Sequence, residues 1–189
     1  MITHPDYCRQ TNIDMSQACR LDYCLPNVGL KNEVWEVKAT DMFTQEWLDS
    51  MAERGVPVEW VLIFYRPAGF QHQAAHIDAY GTDSIAVSAL NWIIGGRGSE
   101  MSWYQPPSEP FVISYTDRNI PYIQFPICNL EEKHRTNIGN GVTLVRVNVP
   151  HAIFVGDEPR WCISLRNHIR SSNWSEAVER LQNLGLLLD

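Results

Sequence analysis

Beyond a polar, irregular stretch reaching to about residue 30, the apolar positions of this chain follow two periods. Residues 33–38 alternate, with Val34 and Glu36 against Trp35 and Val37, and predict a strand. Phe43, Trp47, Leu48 and Met51 then recur at helical spacing and form one apolar stripe. Asp41 or Thr44 is placed to cap this helix and Gly55 to stop it, so the spacing predicts a helix running to Arg54 that packs on something flat. After Gly55 the period shortens. Runs at 58–65, 84–94, 99–104, 111–115, 122–128, 141–149 and 161–166 are rich in apolar and β-branched residues. They are separated by Arg66-Pro67-Ala68-Gly69, Gly95-Gly96-Arg97-Gly98, Pro106-Pro107, Pro110 and a turn at 137–141. A closing helix over about 175–184 carries Trp174, Val178, Leu181 and Leu184 on one face and ends at Gly185. Seven or eight strands between two helices predict a mainly β fold, a sandwich or barrel. No linker or repeat divides the chain, so residues 31–189 read as one barrel domain and residues 1–30 as an arm wrapped around it.

Composition narrows the function classes. Apolar residues make up 44% of the 189 and charged residues 20%, which is the balance of a chain that buries a core. The net charge of -7, with no cluster of Lys or Arg, argues against nucleic acid as a partner. The longest apolar runs are too short to span a bilayer, and no apolar segment follows Met1, so neither a membrane nor a secretory route is expected. Five cysteines, an odd number without a C-x-x-C pair, fit reduced thiols and a cytoplasmic setting. His4, Cys8, Cys19 and Cys24 have a spacing that fits no common zinc module, and idle thiols are the simpler expectation.

The chemistry concentrates between residues 65 and 78. In extended chain, residues two apart point to the same side, so His76 and Asp78 can present an imidazole nitrogen and a carboxylate oxygen to one cation. His151, after an apolar strand and Pro150, is placed to supply a third ligand. Two histidines and one carboxylate leave three coordination positions open, which suits ferrous iron that must take a co-substrate and O2 together. His72 would reach such an ion only in a helix, against which the Pro67 and Gly69 turn argues. On the strand 160–166, Arg160, Cys162, Ser164 and Arg166 share one face, and apolar Trp161, Ile163 and Leu165 the other. Trp92, Trp103 and Tyr104 read first as core, His4, His134 and His168 as surface or caps, Arg97 and Arg118 as solvated, and Arg146 and Asn148 as facing away from the ion.

An isolated His-x-Asp is weak, but here it belongs to an ordered set. Tyr65, Gly69, His76-Ile77-Asp78, Leu90-Asn91, Gly95-Gly96, His151 and Arg160 together resemble the 2-oxoglutarate/Fe(II)-dependent dioxygenase superfamily, closest to its prolyl-hydroxylase-like branch, over about residues 58–168. The resemblance implies a double-stranded β-helix (jelly-roll barrel) with bracing helices before and after. It implies Fe(II) on His76, Asp78 and His151, with O2 and with 2-oxoglutarate as co-substrate. The distal carboxylate of 2-oxoglutarate would lie on Arg160, or on Arg166 as the alternative, with hydrogen bonds from Ser164 and Tyr65. The implied reaction is hydroxylation of a C–H bond in a small metabolite, amino acid or protein side chain, releasing succinate and CO2. A carboxylate at position 78, where the family's halogenases carry a small residue, disfavours halogenation. Two other readings stay open: a cupin-type metal enzyme that does not use 2-oxoglutarate, which expects a His-x-His pair this chain lacks, and a non-catalytic jelly-roll module that binds a peptide or small ligand.

Overall fold

A computed structural model describes residues 5–20, 33–80, 84–108, 113–116, 119–139, 141–167 and 172–188. Its strands form two antiparallel sheets. The six-stranded sheet holds β1 (Cys8–Gln10), β2 (Glu33–Lys38), β3 (Val58–Arg66), β6 (Ser88–Gly95), β11 (Gly141–Arg146) and β13 (Arg160–Asn167), in the order β1-β11-β6-β13-β3-β2. The seven-stranded sheet holds β4 (Ala74–Tyr80), β5 (Ser84–Ile85), β7 (Glu100–Tyr104), β8 (Ile113–Tyr115), β9 (Pro121–Pro126), β10 (Glu132–Thr136) and β12 (His151–Phe154). Its order is β10-β7-β12-β4-β9-β8, with β5 paired to β4. The fold is thus mainly β, as the spacing of the apolar runs predicts, and among the described residues the strands do not close into one barrel. No helix is long and apolar enough to cross a membrane.

Side chains alternate along the six-stranded sheet, so it builds a core on each face. Its outer face, with Val61, Ile63, Leu90, Leu144, Ile163 and Leu165, is covered by helices. These are α1 (Ala39–Met42), α2 (Gln45–Glu53) and α3 (Trp174–Asn183), which contribute Met42, Leu48, Met51, Trp174 and Leu181. The inner face turns Ala89, Ile93, Val145 and Cys162 toward Met101, Trp103 and Ile153 of the other sheet. The parity read for strand 160–166 holds: Ile163 and Leu165 pack under the helices, while Cys162 faces between the sheets.

Of the two expected starts, Thr44 stands at the N-cap of the helix that runs to Arg54, and Asp41 falls in a separate short helix that ends at Phe43, whose backbone is extended. Tertiary hydrogen bonds explain the break. Arg20 N–H donates to the Met42 carbonyl at 2.8 Å, Thr44 N–H donates to the Ala18 carbonyl at 3.1 Å, and Phe43 stacks on Trp47 at 4.4 Å. The arm is therefore woven in as far as it is described. Cys8–Gln10 pairs with β11, and Ile13, Met15 and Ala18 are buried beneath the helices. The closing helix begins one residue early, at Trp174, because the Asn173 side chain accepts the Glu176 N–H and caps it.

The Gly95-Gly96 turn joins β6 to β7 and carries φ values of +70° and +67°. A Cβ on Gly95 would stand 2.7 Å from the Pro159 carbonyl oxygen, and one on Gly96 2.8 Å from the Arg160 Cβ. Only glycine lets this turn lie against the start of β13, and that contact sets where Arg160 enters the space between the sheets.

Candidate metal centre

His76 and Asp78 alternate with Ala75 and Ile77 along β4, and the two pairs of side chains leave the sheet on opposite sides. Ala75 and Ile77 pack into small outer clusters, and His76 and Asp78 face the cavity between the sheets. β12 runs antiparallel beside β4 with His151 directly opposite His76. Opposed residues of adjacent strands stand close enough for side-chain contact, and the two imidazole centroids are 4.3 Å apart. Asp78 Oδ1 lies 3.5 Å from His76 Nε2 and 3.8 Å from His151 Nε2. One donor atom from each of the three residues falls within 4.8 Å of the others, a triad that can hold a metal ion.

The surroundings orient each donor. His151 Nδ1 lies 3.0 Å from the Val149 carbonyl, which can only accept, so Nδ1 carries the proton and Nε2 turns its lone pair toward Asp78. Burial holds the His151 ring below the ordinary histidine range, and burial together with His151 and His72 holds His76 well below it. Both rings therefore stand neutral, the form that binds metals. Arg166 places Nη1 and Nη2 at 3.0 and 3.1 Å from Asp78 Oδ2. One carboxylate oxygen is thus fixed by a guanidinium, and the other is left facing the histidines.

Two spaces meet at this triad. The inner one lies between the sheets and is lined by Arg160, Arg66, Ser164, Asn91 and Cys162 as well as the triad, with Phe64, Met101, Val147 and Ile153 as apolar walls. It holds about 40 Å³. A water-sized sphere takes roughly 10–15 Å³ by that measure, so it admits a headgroup of a few heavy atoms. The outer cleft, about 720 Å³, opens from His76, Asp78 and Arg166 between β2–β3 and β8–β9. Val34, Trp60, Leu62, Phe64, Ile120 and Tyr122 make its walls largely apolar.

Arg160, Ser164 and Arg166 all reach this region, but in different roles. Arg160 is 4% exposed, and among the described residues its only side-chain partner is the Cys162 sulfur. Ser164 Oγ and Asn91 Oδ1, opposite one another in register, are buried without a hydrogen bond. Arg166, the alternative carboxylate clamp of the sequence reading, is instead committed to Asp78. Tyr65 is corrected outright. It sits between Phe64 and Arg66, which face the cavity, so strand alternation sends it to the other side, where its ring packs 4.7 Å from Trp161.

His72 is the functional neighbour that sequence reasoning missed. The turn at Gly69 has a φ of +72°, and the Gly69 N–H donates to the Gly156 carbonyl. Gln71 then bridges to Phe154 and His72 N–H donates to the Ile153 carbonyl, so this stretch lies beside β12 just ahead of β4. Positions 72, 74, 76 and 78 share one face in extended chain, and that parity was the available signal. His72 lines both spaces, and its ring lies 5.4 Å from that of His76. Ile153 N–H donates to its Nδ1 at 3.0 Å, so the neutral ring carries its proton on Nε2. Burial first, then Arg66, brings His72 down to about 3.

The remaining expectations sort by position. Trp103 is fully buried and donates to the Arg146 carbonyl, Tyr104 is buried and Trp92 packs under the helices, so none of the three lines the cleft. Arg146 binds Asn148 and not the cavity, and Arg97 forms an exposed pair with Glu158. His134 is not a free surface group; it stacks on Tyr7 with the rings 5.6 Å apart. Cys8 lies between the sheets and Cys19 on the helix side, so they share no site. His4, Cys24, Arg118 and His168 lie outside the described residues. No protein-family model matches the sequence, and no curated protein matches it significantly.

Proposed function

We propose that the protein is an Fe(II)- and 2-oxoglutarate-dependent dioxygenase that hydroxylates a C–H bond, and that its two sheets are a double-stranded β-helix, or jelly roll. One juxtaposition carries the reading: a two-histidine, one-carboxylate triad shares the inner chamber with a buried arginine that has no carboxylate partner among the described residues. The donor set fits ferrous iron. Three protein ligands leave positions for a chelating co-substrate and O2, and neutral imidazoles with one carboxylate are ligands that Fe(II) accepts. The polar lining fits the distal carboxylate of 2-oxoglutarate. Arg160 offers a planar fork, and Ser164 Oγ offers a hydroxyl that no other group among the described residues uses. When bound, iron, 2-oxoglutarate and O2 supply the oxidation: the 2-oxo acid becomes succinate and CO2, one oxygen atom entering succinate and the other the substrate C–H bond.

The chain's own residues do the positioning. His76, Asp78 and His151 would hold the ion, and because chamber and cleft meet at these residues, substrate would arrive from the cleft while the distal carboxylate of the co-substrate takes the chamber. Arg166 fixes Asp78 so that a single oxygen faces the ion. Phe64, Met101, Val147 and Ile153 give the chamber its apolar walls. The cleft volume lies within the roughly 300–1,000 Å³ common for small-molecule sites and admits a small metabolite, a free amino acid or one side chain of a peptide. A cupin-type enzyme without 2-oxoglutarate would draw a fourth ligand from nearby, and His72 is the neighbouring imidazole. Its Nδ1 is already taken by the Ile153 N–H, which favours the three-ligand reading.

Anaerobic titration with Fe(II) tests the site. The expected result is one tightly bound equivalent, bound more tightly when 2-oxoglutarate is present, and lost in His76→Ala and His151→Ala. Uptake that those substitutions leave unchanged overturns the assignment.

A further inference from the structure

The chamber holds more positive charge than the proposed function requires. Three guanidiniums line it, from Arg66, Arg160 and Arg166, against a single carboxylate, Asp78, which is held by Arg166. Arg66 and Arg160 stand directly opposite one another on β3 and β13, on the face that looks between the sheets. Like charges in opposed positions repel, and low-polarity surroundings strengthen the repulsion.

Arg66 is held in place nevertheless. Its Nη1 donates to the Glu33 and Tyr65 carbonyls at 3.0 and 2.9 Å, and its guanidinium carbon lies 5.4 and 5.5 Å from the Phe64 and Phe70 ring centres. Its Nη2 and Nε have no partner among the described residues. Two backbone carbonyls and two aromatic faces therefore fix a cation whose remaining donors are unused among the described residues, beside a second buried cation that has no anion of its own among them. Burial and the Arg160 charge both pull Arg66 down, to about 10, so it stays protonated at neutral pH.

We infer that Arg66 and Arg160 form a two-arginine carboxylate site that binds a dicarboxylate without any metal, and that Arg66 is a specificity-determining residue of the chamber. The inference deepens the proposed function and rests on it only in taking 2-oxoglutarate as the natural occupant. A dicarboxylate places one carboxylate between the two forks, where it relieves their repulsion, and leaves its other end toward the triad. The arrangement favours filling the chamber before the metal position, and it disfavours 2-oxo acids whose far end is uncharged.

Glutarate is the probe, because it lacks the 2-oxo group that would chelate an ion. With EDTA present, calorimetry is expected to show glutarate binding to the wild-type protein, at least tenfold weaker binding to Arg66→Gln, and partial recovery in Arg66→Lys, which restores the charge without the fork. NMR of the wild type, which needs no variant to fold, is expected to show contacts from the glutarate methylenes to the Phe64 ring, which lines the chamber. No glutarate binding to metal-free wild type, wild-type affinity in Arg66→Gln, or no contact to that ring overturns the inference. The two readings fail separately. Glutarate binding without succinate formation by the iron-loaded protein leaves the anion site and removes the dioxygenase; succinate formation with Arg66→Gln unaltered in glutarate affinity does the reverse.

Discussion

Asp78 divides its two oxygens between two partners, Oδ1 toward the histidines and Oδ2 toward Arg166, and that division leaves Oδ1 able to serve a metal ion held with His76 and His151. Arg166→Gln should therefore loosen the carboxylate while leaving all three ligands in place. Losing such an outer partner costs about 10–100-fold in metal affinity, and anaerobic Fe(II) titration reads it. Arg160→Gln should act differently, weakening 2-oxoglutarate binding far more than iron binding; equal losses of both would contradict its role. His72 supplies a pH prediction. Its folded value of about 3 lies below the ordinary histidine range, so unfolded chain takes up the proton first as pH falls. The contribution is present in full above about pH 6.5 and is lost progressively toward pH 3, and His76 and His151 act in the same direction. Urea unfolding of the metal-free protein across that window should show stability falling with pH, less steeply in His72→Gln.

At the scale of elements, the sequence was most legible where alternation is long and apolar. β3 and β13 have nearly their expected bounds, and β13 carries Arg160 and Ser164 into the chamber. The run expected over 84–94 instead divides into β5 and β6 of different sheets, and the one over 141–149 ends as a strand at Arg146. β10 went unread because Glu132–Thr136 is an edge strand, Glu-Lys-His-Arg-Thr, whose polar residues suit a solvated margin. β12 has only four residues, and β1 lay in the stretch read as an arm. The triad was legible because His-x-Asp spacing acts locally. Which strand opposes which is a tertiary fact, so the pairing of His76 with His151, the arrival of Arg166 at Asp78 and the opposition of Arg66 and Arg160 were not. The β6–β7 turn gives a test at this scale. Gly96→Ala forces a Cβ onto Arg160 at a backbone angle that side chains rarely adopt. It should cost on the order of 1–3 kcal/mol in denaturant unfolding and weaken 2-oxoglutarate more than iron.

Across the whole molecule, helices cover the outer face of the six-stranded sheet while the candidate site lies between the two sheets. Stability and chemistry are thereby partly separable. Leu181, fully buried in α3, packs under the helices and lines neither chamber nor cleft. Leu181→Ala should cost about 2–5 kcal/mol by urea unfolding and leave Fe(II) affinity unchanged in the folded protein. The charge distribution follows the same division: in a chain of net charge -7, guanidiniums outnumber carboxylates around the chamber, so the field there favours an anionic ligand. The most direct measurement of the central claim supplies the metal-free protein with Fe(II), 2-oxoglutarate and O2 and quantifies succinate, with and without a panel of small amines, amino acids and peptides. The account predicts O2-dependent succinate, increased by a true substrate and abolished in Asp78→Ala. No succinate under any of these conditions, or equal succinate from Asp78→Ala, would contradict it.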